Sequence, residues 1–486
     1  MNLCLLNHSY KYELEKLIRI FLPFEKIEFF DTCNLSDCCA VSELNGLVAS
    51  AKLTFNSKVY SYCENIDTNA VDKHKEEELK LATALFKCFT EAFDYKPQWG
   101  LLTGVRPAKL FSRLSKKEGS DKTEEYFKNS LFVSDKKVEL CKAAIKGEDE
   151  ITSLSRPDSY SLYISIPFCP TRCSYCSFVS HSVTQAKKLI PQYVENLCKE
   201  LEITAKTAKE NGLRLETVYI GGGTPTAISA EHLDKIMKVV AENFDLTNLR
   251  EYTVEAGRPD TVTKEKLTVI KKNGATRISI NPQTMNDSVL KAIGRKHTAL
   301  QVKEAFNLAR ECGHNNINMD LIAGLPTDDL ESFKTTVYEI LKLNPESVTV
   351  HSLSFKRAAD LSLDKTYENI NLGNIASDMV DFANKTLSEN GILPYYMYRQ
   401  SKTVGNLENV GYAKAGFECL YNVYIMDETH TILACGASAV TKLREPDGDY
   451  IERIFNFKYP YEYISRFGEI IARKQGVTEF YSNYGG

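Results

Sequence analysis

The chain has 486 residues, 43% of them hydrophobic and 26% charged, a globular composition that excludes disordered, collagen-like and small disulfide-stapled classes. Its 60 Lys and Arg against 64 Asp and Glu leave a formal charge of −4, without the basic excess of a dedicated nucleic-acid binder. The length suggests about three domains of roughly 150 residues each.

The first residues, Met1 to His8, carry no basic region ahead of their short apolar run, and no later stretch reaches the ~18 apolar residues of a spanning helix. The expectation is a cytoplasmic protein with no membrane span and no nucleic-acid partner. Fourteen cysteines in a chain of this length are too dilute for a disulfide framework. Cys4, Cys33, Cys38, Cys39, Cys63, Cys88, Cys141, Cys198, Cys312, Cys419 and Cys435 are scattered among apolar neighbours and read as small buried hydrophobes. Cys38 and Cys39 are adjacent but lack a matching pair for a metal.

In chain order, Leu47 to Phe55 reads as a strand, and Lys75 to Phe93 places apolar residues at three- and four-residue intervals, as a helix does. A segment from Gln98 to Pro107 holds the single tryptophan, Trp99. A charged helical stretch runs to about Lys146, and the polar run Gly147 to Ser159 marks a boundary. Residues 1–150 are therefore expected to form an N-terminal accessory α+β domain with a helical linker.

From Ser161 short β-branched strands alternate with amphipathic helices, the signature of βα units building a parallel sheet. The expected strands are Tyr163 to Phe168, Thr217 to Ile220, Tyr252 to Glu255, Arg277 to Asn281, Asn316 to Ile322 and Ser347 to Leu353, with helices such as Tyr193 to Lys209 and Ala299 to Glu311 between them. Six consecutive units fit an α/β, partial (β/α)6 TIM-like barrel better than an open two-sided sheet. That core is assigned to residues 151–385, closed by a helix over Ile375 to Asn390. Residues 386–486 form a small C-terminal α+β region, in which Tyr395 to Tyr398 and Tyr421 to Ile425 read as strand-forming.

The chemistry concentrates directly after the first barrel strand, in Ile166-Pro167-Phe168-Cys169-Pro170-Thr171-Arg172-Cys173-Ser174-Tyr175-Cys176-Ser177-Phe178. Structural zinc wants four tetrahedral ligands, usually as two separated pairs, and no second pair exists. A [4Fe-4S] cluster accepts thiolates from one compact loop, and three thiolates leave one iron open for a ligand. Cys169, Cys173 and Cys176 are thus the expected metal ligands and the catalytic centre. After the second strand comes Tyr219-Ile220-Gly221-Gly222-Gly223-Thr224-Pro225-Thr226, where backbone free of side chains allows a close approach. No Gly-Lys-Ser/Thr follows, which argues against a phosphate-binding loop.

This cysteine spacing, with the aromatic Tyr175 before the third cysteine, resembles the radical S-adenosylmethionine (SAM) superfamily. The resemblance implies that the open iron chelates SAM, and that one electron cleaves it to methionine and a 5′-deoxyadenosyl radical. A reductase, flavodoxin or ferredoxin would supply that electron. Gly222, Gly223 and Thr224 would then lie against the methionine end of SAM.

From Tyr163 to about Leu443 the pattern is similar to the oxygen-independent coproporphyrinogen III oxidase group. The likeness implies SAM contacts for Tyr163, six residues before the first cysteine, for Glu255 at the third strand end, and for Gln283 after the fourth. It also implies them for Arg295 in the next helix, Asp320 in the fifth strand, and Ser354 beyond the last. The segments Trp99 to Pro107, Tyr398 to Gln400, Gly405 to Tyr412 and Gly436 to Ala439 are similar to the group's HemZ-type branch. Members of that branch are classed as coproporphyrinogen dehydrogenases, which convert two propionates of coproporphyrinogen III to vinyl groups in haem biosynthesis. The C-terminal region would cover the porphyrinogen, with Lys356, Arg357 and Arg399 as partners for its carboxylates.

Two positions depart from the established dehydrogenases: Phe178 stands where they carry a fourth cysteine, and Ser165 where they carry a histidine. A phenylalanine at the first of these also occurs in sister haem-binding chaperones, which remain the alternative. His181, His297 and His351 read as structural residues near the site, and Arg106 as an interdomain packing residue.

Overall fold

The computed structural model describes residues 1–32, 39–176, 181–355 and 366–484. Cys33, Cys38, Phe178, Lys356 and Arg357 lie outside them. The chain divides into two compact units, one of Met1–Lys142 with Ser362–Asp378 and Arg399–Glu408, the other of Ala143–Leu361, Met379–Tyr398 and Asn409–Gly486. The sequence reading drew three consecutive parts; in the structure two late segments fall in with the first unit.

In the first unit a five-stranded sheet runs in the order β2-β1-β3-β4-β5, from β1 (Asn2–Leu6), β2 (Glu28–Phe30), β3 (Cys39–Asn45), β4 (Val48–Phe55) and β5 (Lys58–Asn65). Strand β1 is parallel to both neighbours, while β3, β4 and β5 form an antiparallel meander. Helix Lys73–Phe93 starts where the Asp72 carboxylate accepts the Lys75 N–H, a side-chain cap of an otherwise unpaired donor. Its Leu81, Leu85 and Phe89 pack with Leu14, Leu17 and Phe21 of helix Lys11–Phe21 in one core.

Trp99 anchors the later segments of this unit. Its indole N–H donates to Glu408 Oε2 at 2.6 Å, and Lys137 Nζ holds the other oxygen at 2.7 Å. The Arg399 guanidinium lies over the Trp99 ring and donates to the carbonyls of Leu102 and Gly104. Arg399 is only 3% exposed, so the expected partner of substrate carboxylates is instead spent on the Trp99-to-Pro107 segment.

The second unit is built on an eleven-stranded sheet. Its strands are β6 (Ser159–Ile166), β7 (Arg214–Gly222), β8 (Glu251–Glu255), β9 (Arg277–Ser279), β10 (Ile317–Ala323), β11 (Ser347–Ser352), β12 (Leu393–Arg399), β13 (Glu408–Ala413), β14 (Thr431–Cys435), β15 (Val440–Arg444) and β16 (Ile451–Phe455). The spatial order is β12-β13-β11-β10-β9-β8-β7-β6-β14-β15-β16. From β6 to β11 every pairing is parallel and in sequence order, as six βα units of a partial barrel require. Beyond β6 the sheet gains β14, parallel to it, although that strand comes from the C-terminal region.

Two boundaries differ from expectation. Helix Asp135–Thr152 runs through the polar Gly147-to-Thr152 stretch, because its acidic residues continue a solvent face rather than end the helix. Tyr421 to Ile425 is not a strand but part of helix Leu420–Asp427. The Glu251 carboxylate accepts the N–H groups of Leu420 and Tyr421, and an acid at the first turn favours the helix over the aromatic, β-branched local preference.

Candidate functional site

The carboxyl ends of β6 to β11 carry the polar residues that the sequence singled out. After β6, Phe168 and Cys169 form a two-residue strand parallel to His181 and Ser182, and the loop to Cys176 follows. Cys173 is buried, whereas Cys169 and Cys176 are partly exposed. Thr224 Oγ1 donates toward Cys169 Sγ at 3.4 Å. Arg258 reaches Cys173 Sγ at 3.8 Å and holds Thr171 by its carbonyl and hydroxyl at 3.0 and 2.9 Å. The same guanidinium grips Asp260 through two nitrogens, a bidentate pair with fixed geometry. The loop's far side is tied by the Ser174 N–H, which donates to the Ile293 carbonyl at 3.2 Å.

The glycine run lies against this loop. Gly223 N–H and Thr224 N–H donate to the carbonyls of Ile166 and Phe168, both at 2.8 Å. A Cβ on Gly223 would stand 2.7 Å from the Phe168 carbonyl, and one on Gly221 2.8 Å from the Tyr219 ring. Gly222 takes φ +106°, a conformation that side chains disfavour. Glycine is required here by close approach and by backbone shape.

Facing this cradle, Tyr219 donates to Glu255 Oε1 at 2.5 Å. Burial pushes the Glu255 carboxyl up to about 7, with the Tyr219 hydrogen bond opposing and the Asp320 charge adding to the rise. Asp320 behaves oppositely: burial would raise it, but hydrogen bonds and charge from His351, with Asn318 and Thr349, hold it below its ordinary value. His351 Nε2 stands 3.9 Å from Asp320 Oδ2, and Asn318 donates to Oδ1 at 2.6 Å. Asp320 sits within β10 rather than at its end. Gln283 adopts φ +69°, left-handed backbone that costs a non-glycine residue on the order of 1 kcal/mol. It is fixed there by its N–H to the Asp320 carbonyl and by the Ile322 N–H to its own.

Arg295 lies just past helix Asp287–Ala292 rather than in it, because Gly294 turns left-handed and ends the helix. Its guanidinium donates to Tyr175 OH at 3.1 and 3.3 Å and to the Asn281 carbonyl at 2.7 Å. Tyr163 stacks with Tyr219 and Tyr421, which themselves lie 4.4 Å apart. Burial raises the Tyr163 and Tyr175 hydroxyls above their ordinary values. Ser354 is partly exposed, two residues past β11.

Sequence reasoning missed Arg258, the clamp on the cysteine loop, and Tyr219 and Tyr421, the stack beside Tyr163. The position of Arg258 three residues past a barrel strand was the available signal.

The donor set suits a thiophilic cluster: three thiols on one loop, a side-chain-free cradle beside it, and buried, unpartnered Ser174 Oγ and Asn281 Oδ1 nearby in sequence to the loop and to Gln283. Among the described residues no three Cys, His, Asp or Glu side chains are already gathered as a metal cage; the loop supplies the donors rather than a preformed geometry.

A sequence profile of the radical SAM superfamily matches residues 163–339. The chain is 41% identical over 374 residues to the oxygen-independent coproporphyrinogen-III oxidase-like protein HemZ of Bacillus subtilis, covering 76% of this chain and 75% of that one. It is 31% identical over 326 residues to the heme chaperone HemW of Haemophilus influenzae, covering 66% and 79%. Among solved structures, coproporphyrinogen III oxidase (HemN) from Escherichia coli aligns at TM-score 0.50 and 23% identity over 66% of this chain and 71% of its own, a likeness of fold.

Proposed function

The chain belongs to the radical SAM superfamily, in the HemZ-like group, and from that membership we propose that it is an oxygen-independent coproporphyrinogen III dehydrogenase. The relationship to the HemZ protein over three quarters of both chains carries this reading. Each of two propionates would lose one β-hydrogen atom, one electron and carbon dioxide to become a vinyl group.

Membership brings a [4Fe-4S] cluster and SAM. Cys169, Cys173 and Cys176 would hold the cluster, and Gly222, Gly223, Thr224, Glu255, Gln283, Arg295 and Asp320 would hold SAM. Together the two cofactors supply hydrogen-atom abstraction from an unactivated carbon. The chain's own residues bind and orient. Arg258 and Thr224 fix the cysteine loop against β7 and β8. The glycine backbone offers polar groups without side chains in the way. Asp320, held ionised, accepts hydrogen bonds from hydroxyls, while Arg295 locks Tyr175 beside the loop. Tyr163, Tyr219 and Tyr421 wall the barrel interior and exclude water.

A second reading, haem binding without porphyrin turnover, is favoured by the HemW relatives and by Ser165 and Phe178. The deciding experiment is anaerobic. Reconstituted protein is incubated with SAM, a reductant and coproporphyrinogen III, and 5′-deoxyadenosine and porphyrin products are followed by mass spectrometry. Deoxyadenosine with successive loss of two carboxyl groups supports the dehydrogenase. Deoxyadenosine with unchanged porphyrin and stoichiometric haem binding replaces it with the chaperone.

A further inference from the structure

The cysteine loop borders a surface that the proposed chemistry leaves unused. No Asp or Glu falls between Asp158 and Glu195, whereas Arg172, Lys187 and Lys188 do, in a chain of net charge −4. Lys187, Lys188 and Lys458 are all exposed, and among the described residues none of the three has an ion-pair partner. Nearby Lys235, by contrast, pairs with Glu195.

Aromatic rings gather around His181, six residues before Lys187 in the chain. Phe168 and Cys169 pair with His181 and Ser182, so His181 stands one ladder step from the first thiol. Its ring meets Tyr459 and Tyr461 edge-on, with centroids 6.2 and 6.4 Å away. Those two tyrosines lie parallel, 5.5 Å apart. Tyr461 is 50% exposed and Tyr459 36%, and Lys458 Nζ sits 5.8 Å above the Tyr459 ring. Rigid, amphipathic rings that stay exposed amid unpaired cations have the composition of a recognition surface rather than of a solvated face.

Charge and place together select the occupant. Resting on the radical SAM reading, which needs single electrons delivered to the loop, we propose that this face docks an acidic one-electron carrier protein. Its acidic rim meets Lys187, Lys188 and Lys458, and its redox group is brought to the loop beside His181. The field of these lysines is long-ranged at low salt and screened at high salt, so docking weakens as salt rises.

The test uses flavodoxin as the acidic probe. Its binding to the full chain is measured by calorimetry at about 50 and about 500 mM salt, for the parent, for Tyr461→Ala and for the triple variant Lys187→Glu, Lys188→Glu, Lys458→Glu. The triple variant is expected to bind at least tenfold more weakly, and Tyr461→Ala several-fold. In parallel, deoxyadenosine formation is driven by reduced flavodoxin or by dithionite. The triple variant should lose at least tenfold of the flavodoxin-driven rate and keep the dithionite-driven rate. Equal flavodoxin binding in parent and triple variant overturns the docking proposal, as does a triple variant that loses only binding to phosphatidylserine vesicles. A parent that forms no deoxyadenosine with either reductant overturns the underlying radical SAM reading instead, while the calorimetry still judges the surface.

Discussion

Substituting Glu255 should separate stability from ligand binding. Burial, opposed by the Tyr219 hydrogen bond and reinforced by Asp320, lifts its carboxyl from an ordinary 4.5 to about 7. The folded value lies above the unfolded one, so between pH 4.5 and about 7 the folded chain binds more protons than the unfolded chain. Stability contributed by this group is therefore present below pH 4.5 and lost as pH rises toward 7 and beyond. The full difference amounts to about 3 kcal/mol. Glu255 keeps partial contact with solvent, which screens part of it, so about 2 kcal/mol is expected. Glu255→Gln preserves shape and an acceptor for Tyr219 while removing the buried charge. Urea unfolding of the cofactor-free chain should show the variant more stable by about 2 kcal/mol at pH 8, with no gain at pH 4. Its SAM affinity should fall about tenfold, the worth of one charge-assisted hydrogen bond. An equal increment at both pH values, or a loss of stability at pH 8, would refute the argument that charge burial sets the effect.

Other substitutions address the loop, the cradle and the first unit. Cys173→Ala should abolish both cluster iron and deoxyadenosine formation, read by iron analysis and mass spectrometry. In Gly223→Ala the new Cβ meets the Phe168 and Ile166 carbonyls at 2.7 and 2.9 Å; overpacking of about 1–3 kcal/mol and loss of SAM binding should appear in thermal melts and equilibrium dialysis. Arg258→Lys removes the bidentate grip on Asp260 and the hold on Thr171, so iron should leave to a chelator several-fold faster while secondary structure stays unchanged by circular dichroism. Glu408→Ala strands a Lys137 ammonium only 2% exposed and the Trp99 indole N–H; a cost of about 3–5 kcal/mol should appear as early proteolysis of the first unit.

Where periodicity and tertiary packing agree, the sequence was readable. Helix Ala299–Glu311 matches its expected bounds because Thr298 and Gln301 form a capping box ahead of a regular apolar face. Each of the six parallel strands overlaps its expected run, although the first begins at Ser159 rather than Tyr163 and the second extends from Arg214 to Gly222, since buried parallel strands need continuous apolar sequence. Tyr421 to Ile425 misled because its local preference is overruled by the Glu251 carboxylate, remote in sequence. The placement of β14 beside β6 was invisible for the same reason: nothing local in Thr431–Cys435 names its neighbour. Arg399 looked like a surface cation because its burial depends on Trp99, Leu102 and Gly104, about three hundred residues away in sequence but adjacent in space. Within the site, the thiols and glycines were legible by spacing. Arg258 was not, because a lone arginine after a strand has no pattern to distinguish it.

The two carboxylates facing the glycine cradle show what the barrel does to like groups. The Asp320 charge adds to the rise of the Glu255 carboxyl, while the surroundings of Asp320 hold its own carboxyl down, so the two are set apart. His351, Asn318 and Thr349 support charge on Asp320, whereas on Glu255 the cost of desolvation outweighs the Tyr219 hydroxyl. Near pH 7 the pair therefore offers an acceptor on β10 and a group on β8 that is in part protonated and able to donate. A diol bound between them could then be met by unlike partners rather than by two repelling anions. Removing the Asp320 charge in Asp320→Asn should lower the Glu255 carboxyl toward its ordinary value, and the stability gain of Glu255→Gln at pH 8 should shrink in that background. If the gain is the same in both backgrounds, the two carboxylates do not sense each other and burial alone sets Glu255.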